Sequence, residues 1–579
     1  LYVRAALEPE EFARSQGDGE DKKPWHAQVR NKPDFFYTGA ERRPVIPGSS
    51  LRGMLRALVE IASYSKVQWV TDRRLVYRAV GDTTSHGEGY RERMMRFDGQ
   101  DYQDGKRHYL YTPLMQAGYM ERRNGDWVIQ PAREIGGTTF ARISQKKIPH
   151  GLESWKKSPN ASVIWVKPGR YEYQKVRGGF IRVKYARVLQ AAAKAEPGLV
   201  EARLARSGWM PNKRSEAVIF EVDYKASPIP VSDELIHTYR EQLADIYTQQ
   251  ALHGHEKRSL LGPNGVLEDK QPVFYLMEEG QLTFFGHCMM FRLPYRRSPR
   301  DLVPLALRRE TDLDLAEAIF GYTKGQDQPE RWRAEGMARK ARAYAGRVFV
   351  SDAVSQGAPE SLWLDDGRPI VPKILATPKP TTFQHYLVQR HPNPVPTGGQ
   401  FADGRPRTRM ELSDYASETP EETVIRGHKL YWHKGQVDQA VIKEPGKVGD
   451  HDTQHTQMRP VKAGVTFRFQ VRFENLSDVE LGALLWVLEQ AQDEAHRLKL
   501  GMGKPYGMGA VGVAATLHLE DRRQRYVTLF VDRDWATGVS DAGETWPQAV
   551  GAFERFVLDG LEARGTRRLR DLARIRQLL

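Results

Sequence analysis

The chain has 579 residues, enough for two to four ordinary domains or for one small core with large insertions. Lysine and arginine number 87 against 73 aspartate and glutamate, and the formal net charge of +14 favours polyanionic partners such as nucleic acid. No stretch approaches the roughly 18 consecutive apolar residues of a membrane helix, and a single cysteine, Cys288, excludes an intrachain disulfide. These features favour a protein of a reducing, cytoplasmic setting that does not cross a membrane.

The first 66 residues predict a strand, a loop and a helix. Residues 1–6 are typical of the end of a strand that begins before Leu1. The charged stretch 8–32 lacks an apolar period and predicts an exposed loop. The loop leads into Ile46-Pro-Gly-Ser-Ser-Leu-Arg-Gly53, after which apolar residues at helical spacing predict a helix of about 14 residues, capped by Ser49 or Ser50.

The middle of the chain divides into three regions. Residues 67–309 mix short strand-like runs with arginine- and lysine-rich connectors, and we interpret them as an insertion. Residues 310–376 contain a short helix that ends at Gly321, followed by Gly346-Arg-Val-Phe-Val-Ser-Asp-Ala353, which predicts a strand. Residues 377–460 are irregular and rich in proline, glycine and histidine, and they predict a protruding arm.

The last third has the clearest pattern. Residues 465–473 alternate like a half-buried strand, and Ser477 and Glu480 have the spacing of a capping box at the start of an amphipathic helix. Gly501-Met-Gly-Lys-Pro-Tyr-Gly-Met-Gly509 follows and leads into a strand, so residues 461–520 form a second strand-helix-strand block. Residues 521–579 predict a helical extension.

The glycine-rich segment, residues 501–509, differs from nucleotide-binding loops. Lys504 precedes Pro505 and not Ser or Thr, and the segment enters a strand where a phosphate loop would open a helix. Two interpretations stay open: Lys504 and Tyr506 grip an RNA backbone, or the glycines supply the positive φ angles of a tight turn.

Three separated blocks together resemble the RAMP superfamily of CRISPR proteins, most closely the guide-binding backbone subunits of type III effector complexes. They are Ile46-Pro-Gly-Ser-Ser-Leu-Arg-Gly-Met-Leu-Arg56, Phe320-Gly321 with the strand ending at Ala353, and Gly464-Val-Thr-Phe-Arg-Phe469 with the glycine-rich segment. The resemblance covers about 200 residues. It implies an α+β fold with a ferredoxin-like (RRM-like) core, large insertions and a protruding thumb.

The resemblance also implies RNA-binding residues. Ser49, Ser50, Arg52 and Arg56 are expected near guide-RNA phosphates, where hydroxyl and guanidinium groups donate hydrogen bonds. The alternative is that the serines cap the helix while the arginines form a solvated face. In the arm, Lys379 and Phe383 belong to a basic and aromatic run suited to stacking unpaired bases.

Members of this family typically cut target RNA with a loop aspartate and a divalent metal. Asp34 lies nearest the matching position, where it would bind Mg or Mn or orient the 2'-hydroxyl. His26 is a second candidate, as general base or phosphate ligand.

The expected partners are a guide RNA (crRNA), its target RNA and other subunits of an antiviral CRISPR complex, with no membrane. Two alternatives remain. One is an endoribonuclease that processes the guide precursor, which needs histidine, tyrosine or lysine and no metal; the other is a non-catalytic RNA-binding scaffold.

Overall fold

The structure is a computed structural model of residues 1–579. It describes all of them except residues 16–23, 68–69, 81, 83–84, 104, 153–161, 176–180, 206–213, 244–266, 309–312, 325–341, 376–380, 390–394, 401–405, 410–411, 417–422, 451 and 494. The chain is a mixture of helices and strands, as expected for an α+β protein. Among these residues no helix has the length and apolar character needed to cross a bilayer.

The chain forms two compact units, each built from separated segments. Unit 1 contains Leu1–Trp69, Pro304–Pro378 and Gly427–Leu579, and unit 2 contains Val70–Val303 and Lys379–Arg426. The residues predicted as an insertion, 67–309, therefore fall almost entirely in unit 2. The residues predicted as one arm, 377–460, are divided between the two units.

Unit 1 has short strands and longer helices. Its helices are Pro9–Ser15, Gly48–Ala62, Leu315–Phe320, Gln439–Ile442, Asp478–Gln490, Arg522–Thr528, Thr545–Gly560 and Ala573–Leu578. Its strands are Val45–Ile46, Tyr322–Lys324, Arg342–Tyr344, Val348–Val350, Ala353–Ser355, Phe467–Arg468, Val471–Phe473, Leu498–Lys499, Ala510–Val511, His518–Glu520, Phe530–Val531, Asp534–Trp535 and Val539–Asp541. The predicted helical extension, 521–579, thus contains helices and short hairpins.

The three motif blocks meet in one antiparallel sheet of unit 1. Val45–Ile46 pairs with Ala353–Ser355, which pairs with Phe467–Arg468. Side chains of all three blocks, with the glycine-rich segment, bury one apolar cluster, whose members include Ile46, Leu51, Ala353, Leu500, Tyr506 and Met508. A second cluster joins helices Gly48–Ala62, Asp478–Gln490 and Thr545–Gly560. Segments remote in sequence are thus held together chiefly by apolar burial.

Local signals explain several of these elements. The Asp478–Gln490 helix begins with the predicted capping box, in which the Ser477 hydroxyl accepts from the Glu480 amide and the Glu480 carboxylate accepts from the Ser477 amide. The Leu315–Phe320 helix ends at Gly321, whose φ of 70° an L side chain rarely adopts. Both predictions are confirmed.

Unit 2 is mostly β structure. Its helices are Ser85–Met94 and Asp233–Leu243, and its strands are Val76–Tyr77, Met95–Gln103, Lys106–Pro113, Gln116–Arg123, Asp126–Pro131, Phe140–Ser144, Ser162–Pro168, Glu172–Lys175, Ile181–Ala192, Val200–Ala205, Ser215–Phe220, Ile229–Pro230, Gln271–Glu278, Gln281–Gly286, Leu293–Pro294, Val395–Gln400 and Pro406–Arg409. In the larger sheet, Ile181–Ala192 pairs with both Phe140–Ser144 and Ser162–Pro168. These pairings close five strands into a ring around an apolar core.

Residues 379–426 of the predicted arm contribute to the core of unit 2. Phe383, Leu387 and Tyr415 are each at most 2% exposed and belong to its main apolar cluster. Val395–Gln400 and Pro406–Arg409 pair as an antiparallel hairpin. Part of the segment therefore serves as core, because its large apolar side chains are better buried than left in water.

Candidate nucleic-acid interface

The glycine-rich segment is a turn that only glycine accommodates. Gly501, Gly503, Gly507 and Gly509 all have positive φ angles, between 72° and 96°. A Cβ on Gly501 would lie 2.5 Å from the carbonyl oxygen of Tyr2, with which the Met502 amide forms a 2.8 Å hydrogen bond. The tight-turn interpretation is correct, and the turn places Leu1 and Tyr2 against Gly501 and Met502.

Three lysines gather around this turn. Lys499 lies on the strand before it, Lys504 lies within it, and Lys434 packs its aliphatic stem beside Gly507. The Lys434 ammonium donates to the Pro505 carbonyl at 2.8 Å. We call Lys434, Lys499 and Lys504 the lysine cluster.

Lys499 is the most perturbed member of the cluster. Its Nζ atom is shielded from solvent and forms no hydrogen bond with any described residue. Desolvation, together with the charges of Lys434 and Lys504, lowers the pKa of Lys499. A desolvated ammonium beside two like charges is unfavourable by itself, and an anion near the three charges would stabilise it.

Aromatic and imidazole groups adjoin the lysine cluster. Trp432 is 82% exposed, two positions before Lys434. Partial burial, with the charges of Lys499 and Arg497, lowers the pKa of the neighbouring His433. An exposed indole two positions from a lysine in the chain is a suitable surface for a nucleobase.

The serines of the first motif do not cap their helix. Gly48–Ala62 has Pro47 at its N-cap position with no side-chain cap, so Ser49 and Ser50 lie within the first turn. Asp352 accepts instead from the Gly48 amide at 2.7 Å. Ser49 is exposed and Ser50 is half-buried, so the Ser49 hydroxyl is accessible to a ligand.

Arg52 and Arg56 make internal contacts. Arg52 donates to the carbonyl of Phe320 and stacks on its ring, and Arg56 donates to the Gly321 carbonyl at 2.8 Å and to Glu60 at 2.8 Å. These cations satisfy free carbonyls at the end of the Leu315–Phe320 helix. The two arginines therefore do not form the solvated face of the alternative, and their contact with guide-RNA phosphates stays a prediction.

Asp34 is paired with a cation of the protein. Its carboxylate accepts from Arg459 at 3.3 Å, and Arg459 also lies over the Trp363 ring. The described residues contain no group of three or more His, Cys, Asp or Glu side chains that could hold a metal ion. Arg459 thus partly neutralises the Asp34 carboxylate, and binding of Mg or Mn by Asp34 stays a prediction. His26 is exposed on the 3₁₀ turn Trp25–Ala27.

Two aromatic residues predicted to bind RNA have buried rings. Tyr506 is 9% exposed and donates its hydroxyl hydrogen to the Lys373 carbonyl, and Phe383 is 2% exposed against His86. The Phe383 ring fills the core of unit 2 and the Tyr506 ring fills a core of unit 1. This corrects the expectations that Phe383 stacks on unpaired bases and that the Tyr506 ring grips an RNA backbone. Lys379 lies outside the described residues.

Sequence reasoning missed Trp432, Lys434 and Lys499 as site residues. The run Tyr431-Trp-His-Lys434 was available as an aromatic and basic signal, but it lies about 70 positions from the glycine-rich segment it joins. Lys499 has no such signal in the sequence, and only its desolvated position beside two other lysines identifies it as a site residue.

No protein-family model matches the chain, and no curated protein matches it significantly. The function is therefore inferred from the site itself.

Proposed function

We propose that this chain binds a guide RNA as a backbone subunit of a type III CRISPR effector complex in the cytoplasm. In this proposal unit 1 carries a ferredoxin-like RAMP core. The lysine cluster holds the ribose-phosphate strand and Trp432 stacks on one of its bases.

The observation that carries the proposal is the Lys499 ammonium, which lies beside Lys434 and Lys504 without an acceptor among the described residues. Phosphate groups held by Lys434 and Lys504 would offset its charge and neutralise its neighbours. The formal net charge of +14 adds a long-range attraction for the same kind of ligand.

The convergence of the three motif blocks is the second support. Their strands pair with one another, and Leu51, Ala353 and Tyr506 share one apolar cluster. The resemblance to RAMP proteins rests on these blocks, and their meeting in space is what a single core requires.

A binding measurement tests the proposal. The full chain is titrated into labelled single-stranded RNA, and the variant Lys434→Gln, Lys499→Gln, Lys504→Gln is expected to lose at least about tenfold in affinity. Its matched control is Lys194→Gln, Lys225→Gln, Lys270→Gln, which removes the same charge from exposed positions of unit 2. The control is expected to stay within about twofold of the wild type. Equal losses in both variants, or no RNA binding by the wild type, would contradict the proposal.

A repeat-derived RNA that copurifies with the chain and its neighbouring gene products would separate a guide-RNA subunit from a general RNA-binding protein. If only random RNA fragments copurify, the assignment to a CRISPR complex is wrong while the lysine site stands.

Processing of a guide precursor is a second candidate, and His433 favours it. Its lowered pKa keeps the imidazole neutral near neutral pH, so it can accept a proton beside cations that stabilise a phosphorane. The expected result is RNA cleavage that resists chelator and is lost in His433→Ala. Cleavage that persists in His433→Ala would exclude this role.

A further inference from the structure

We infer that unit 2 carries a second RNA contact, a base-stacking platform on the hairpin formed by strands Met95–Gln103 and Lys106–Pro113. The inference rests on the proposed RNA-binding function and assigns a role to a region that lies outside the three motif blocks. The platform consists of Phe97, Tyr102, Tyr109 and Arg107.

The strand register places these four side chains on one face. Phe97 pairs with Tyr111, and Tyr102 pairs with Arg107. Alternate residues of a strand share a face, so Arg107, Tyr109 and Tyr111 point the same way. The Phe97 ring lies 6.4 Å from Tyr109 and 5.5 Å from Tyr111, and the Arg107 guanidinium lies 5.5 Å from the Tyr102 ring centroid.

The platform is exposed to solvent, and the main apolar core of unit 2 lies at its border. Phe97 is 52% exposed and Tyr102 is 63% exposed, although large aromatic side chains are usually buried. Tyr111 packs partly against the main core of unit 2. Helix Ser85–Met94 brings Arg91, Glu88 and Glu92 near Tyr111, so the open surface ends there.

The charges on the two faces of the hairpin differ. Asp98 accepts from the Tyr173 hydroxyl at 3.0 Å, and Asp101 faces Arg182, whose strand partner is Leu110. Leu110 points away from Tyr109, so both carboxylates lie on the opposite face. Among the described residues of the hairpin, the aromatic face therefore has a cation and no carboxylate.

Single-stranded RNA fits this combination better than a peptide does. Planar rings stack on unpaired bases, and a guanidinium beside them pairs with phosphate or stacks in turn. Met95–Gln103 is the outer strand of its sheet, so the face is open along one side for a polymer to pass. A peptide would use the free strand edge, and its recognition needs no aromatic row on the sheet face.

The test compares two RNA probes on the full chain: single-stranded oligoadenylate, and an abasic ribose-phosphate oligomer of the same length. The variant Phe97→Ala, Tyr102→Ala, Tyr109→Ala is expected to bind oligoadenylate about tenfold more weakly and the abasic oligomer as the wild type does. Tyr102→Phe with Tyr109→Phe keeps the rings and is expected to keep the affinity. Arg96→Ala is a control on the opposite face, 65% exposed and paired with Asp98.

The outcomes separate this inference from the proposed function. If the lysine-cluster variant loses affinity for both probes while the alanine platform variant keeps its affinity for both, the inference of a stacking platform is wrong and the RNA-binding function stands. If the wild type binds neither probe, the proposed function fails first. Equal loss of both probes in a folded platform variant, or a changed oligomeric state with unchanged RNA affinity, would assign the hairpin to structure or to protein contacts and overturn the inference.

Discussion

Lys499 shows how one residue can oppose stability in favour of binding. Its ammonium is desolvated and has no acceptor among the described residues, which costs free energy in the RNA-free protein. We expect Lys499→Met to increase the free energy of unfolding of unit 1 by about 1 kcal/mol while it weakens RNA binding. Urea denaturation of the RNA-free chain measures the first effect. Lys504→Met serves as control and is expected to weaken RNA binding without increasing the free energy of unfolding. A Lys499→Met variant less stable than the wild type would contradict the interpretation.

His287 of unit 2 gives a pH dependence with a definite sign. Burial lowers the pKa of His287 to about 4, and its ring is hydrogen bonded to Tyr239. The pKa of a histidine in an unfolded chain is about 6.5, so between about pH 4 and about pH 6.5 the unfolded chain binds more protons than the folded chain. The stability contributed by neutral His287 is complete above this window and is lost as the pH falls through it.

The expected loss is up to about 1.4 kcal/mol per pH unit between about pH 6.5 and about pH 4. Urea midpoints of unit 2 measured across this range check it. In His287→Phe this part of the pH dependence should disappear, and an unchanged profile in that variant would show that other groups cause it.

At the scale of elements, replacing either of two glycines of the Gly48–Ala62 helix by alanine should change the stability of unit 1, in opposite directions for the two positions. A Cβ on Gly53 meets no atom within 4 Å, whereas one on Gly48 would collide with the Val350 carbonyl. Gly53→Ala is expected to stabilise unit 1 by about 0.5–1 kcal/mol, because alanine favours a helix interior. Gly48→Ala is expected to destabilise it by about 1–3 kcal/mol. Thermal unfolding of both variants is the measurement, and equal shifts would be inconsistent with this packing.

The sequence predicted elements whose signals are local. The capping box at Ser477 and the positive φ angles of the glycine-rich segment depend on neighbouring residues, and both are confirmed. The capping role of Ser49 is wrong, because Asp352 supplies the acceptor from about 300 positions away. Tyr506 stands beside Lys504 in the sequence and was therefore predicted to bind RNA, yet its hydroxyl donates to the Lys373 carbonyl inside a core. Long-range partners of this kind leave no local pattern.

For the whole molecule, binding should depend steeply on salt. Each phosphate neutralised on a single strand contributes about −0.7 to the slope of log affinity against log salt concentration. Removing Lys434, Lys499 and Lys504 is therefore expected to reduce the magnitude of the slope by about 2. Titrations over a range of KCl concentrations measure it. An unchanged slope would mean that these lysines do not contact phosphate.

The interleaving of segments within unit 1 determines when it can be completed during synthesis. The Tyr2 carbonyl receives its hydrogen bond from Met502, and Arg4 donates to Thr456 and Gln457. These partners leave the ribosome only after all of unit 2 has been made. The opening residues must wait for them, since a domain forms its core only when all of its segments are present. During cotranslational folding, unit 2, whose segments lie in the middle of the chain, can therefore fold first. The first motif block pairs into its sheet only afterwards.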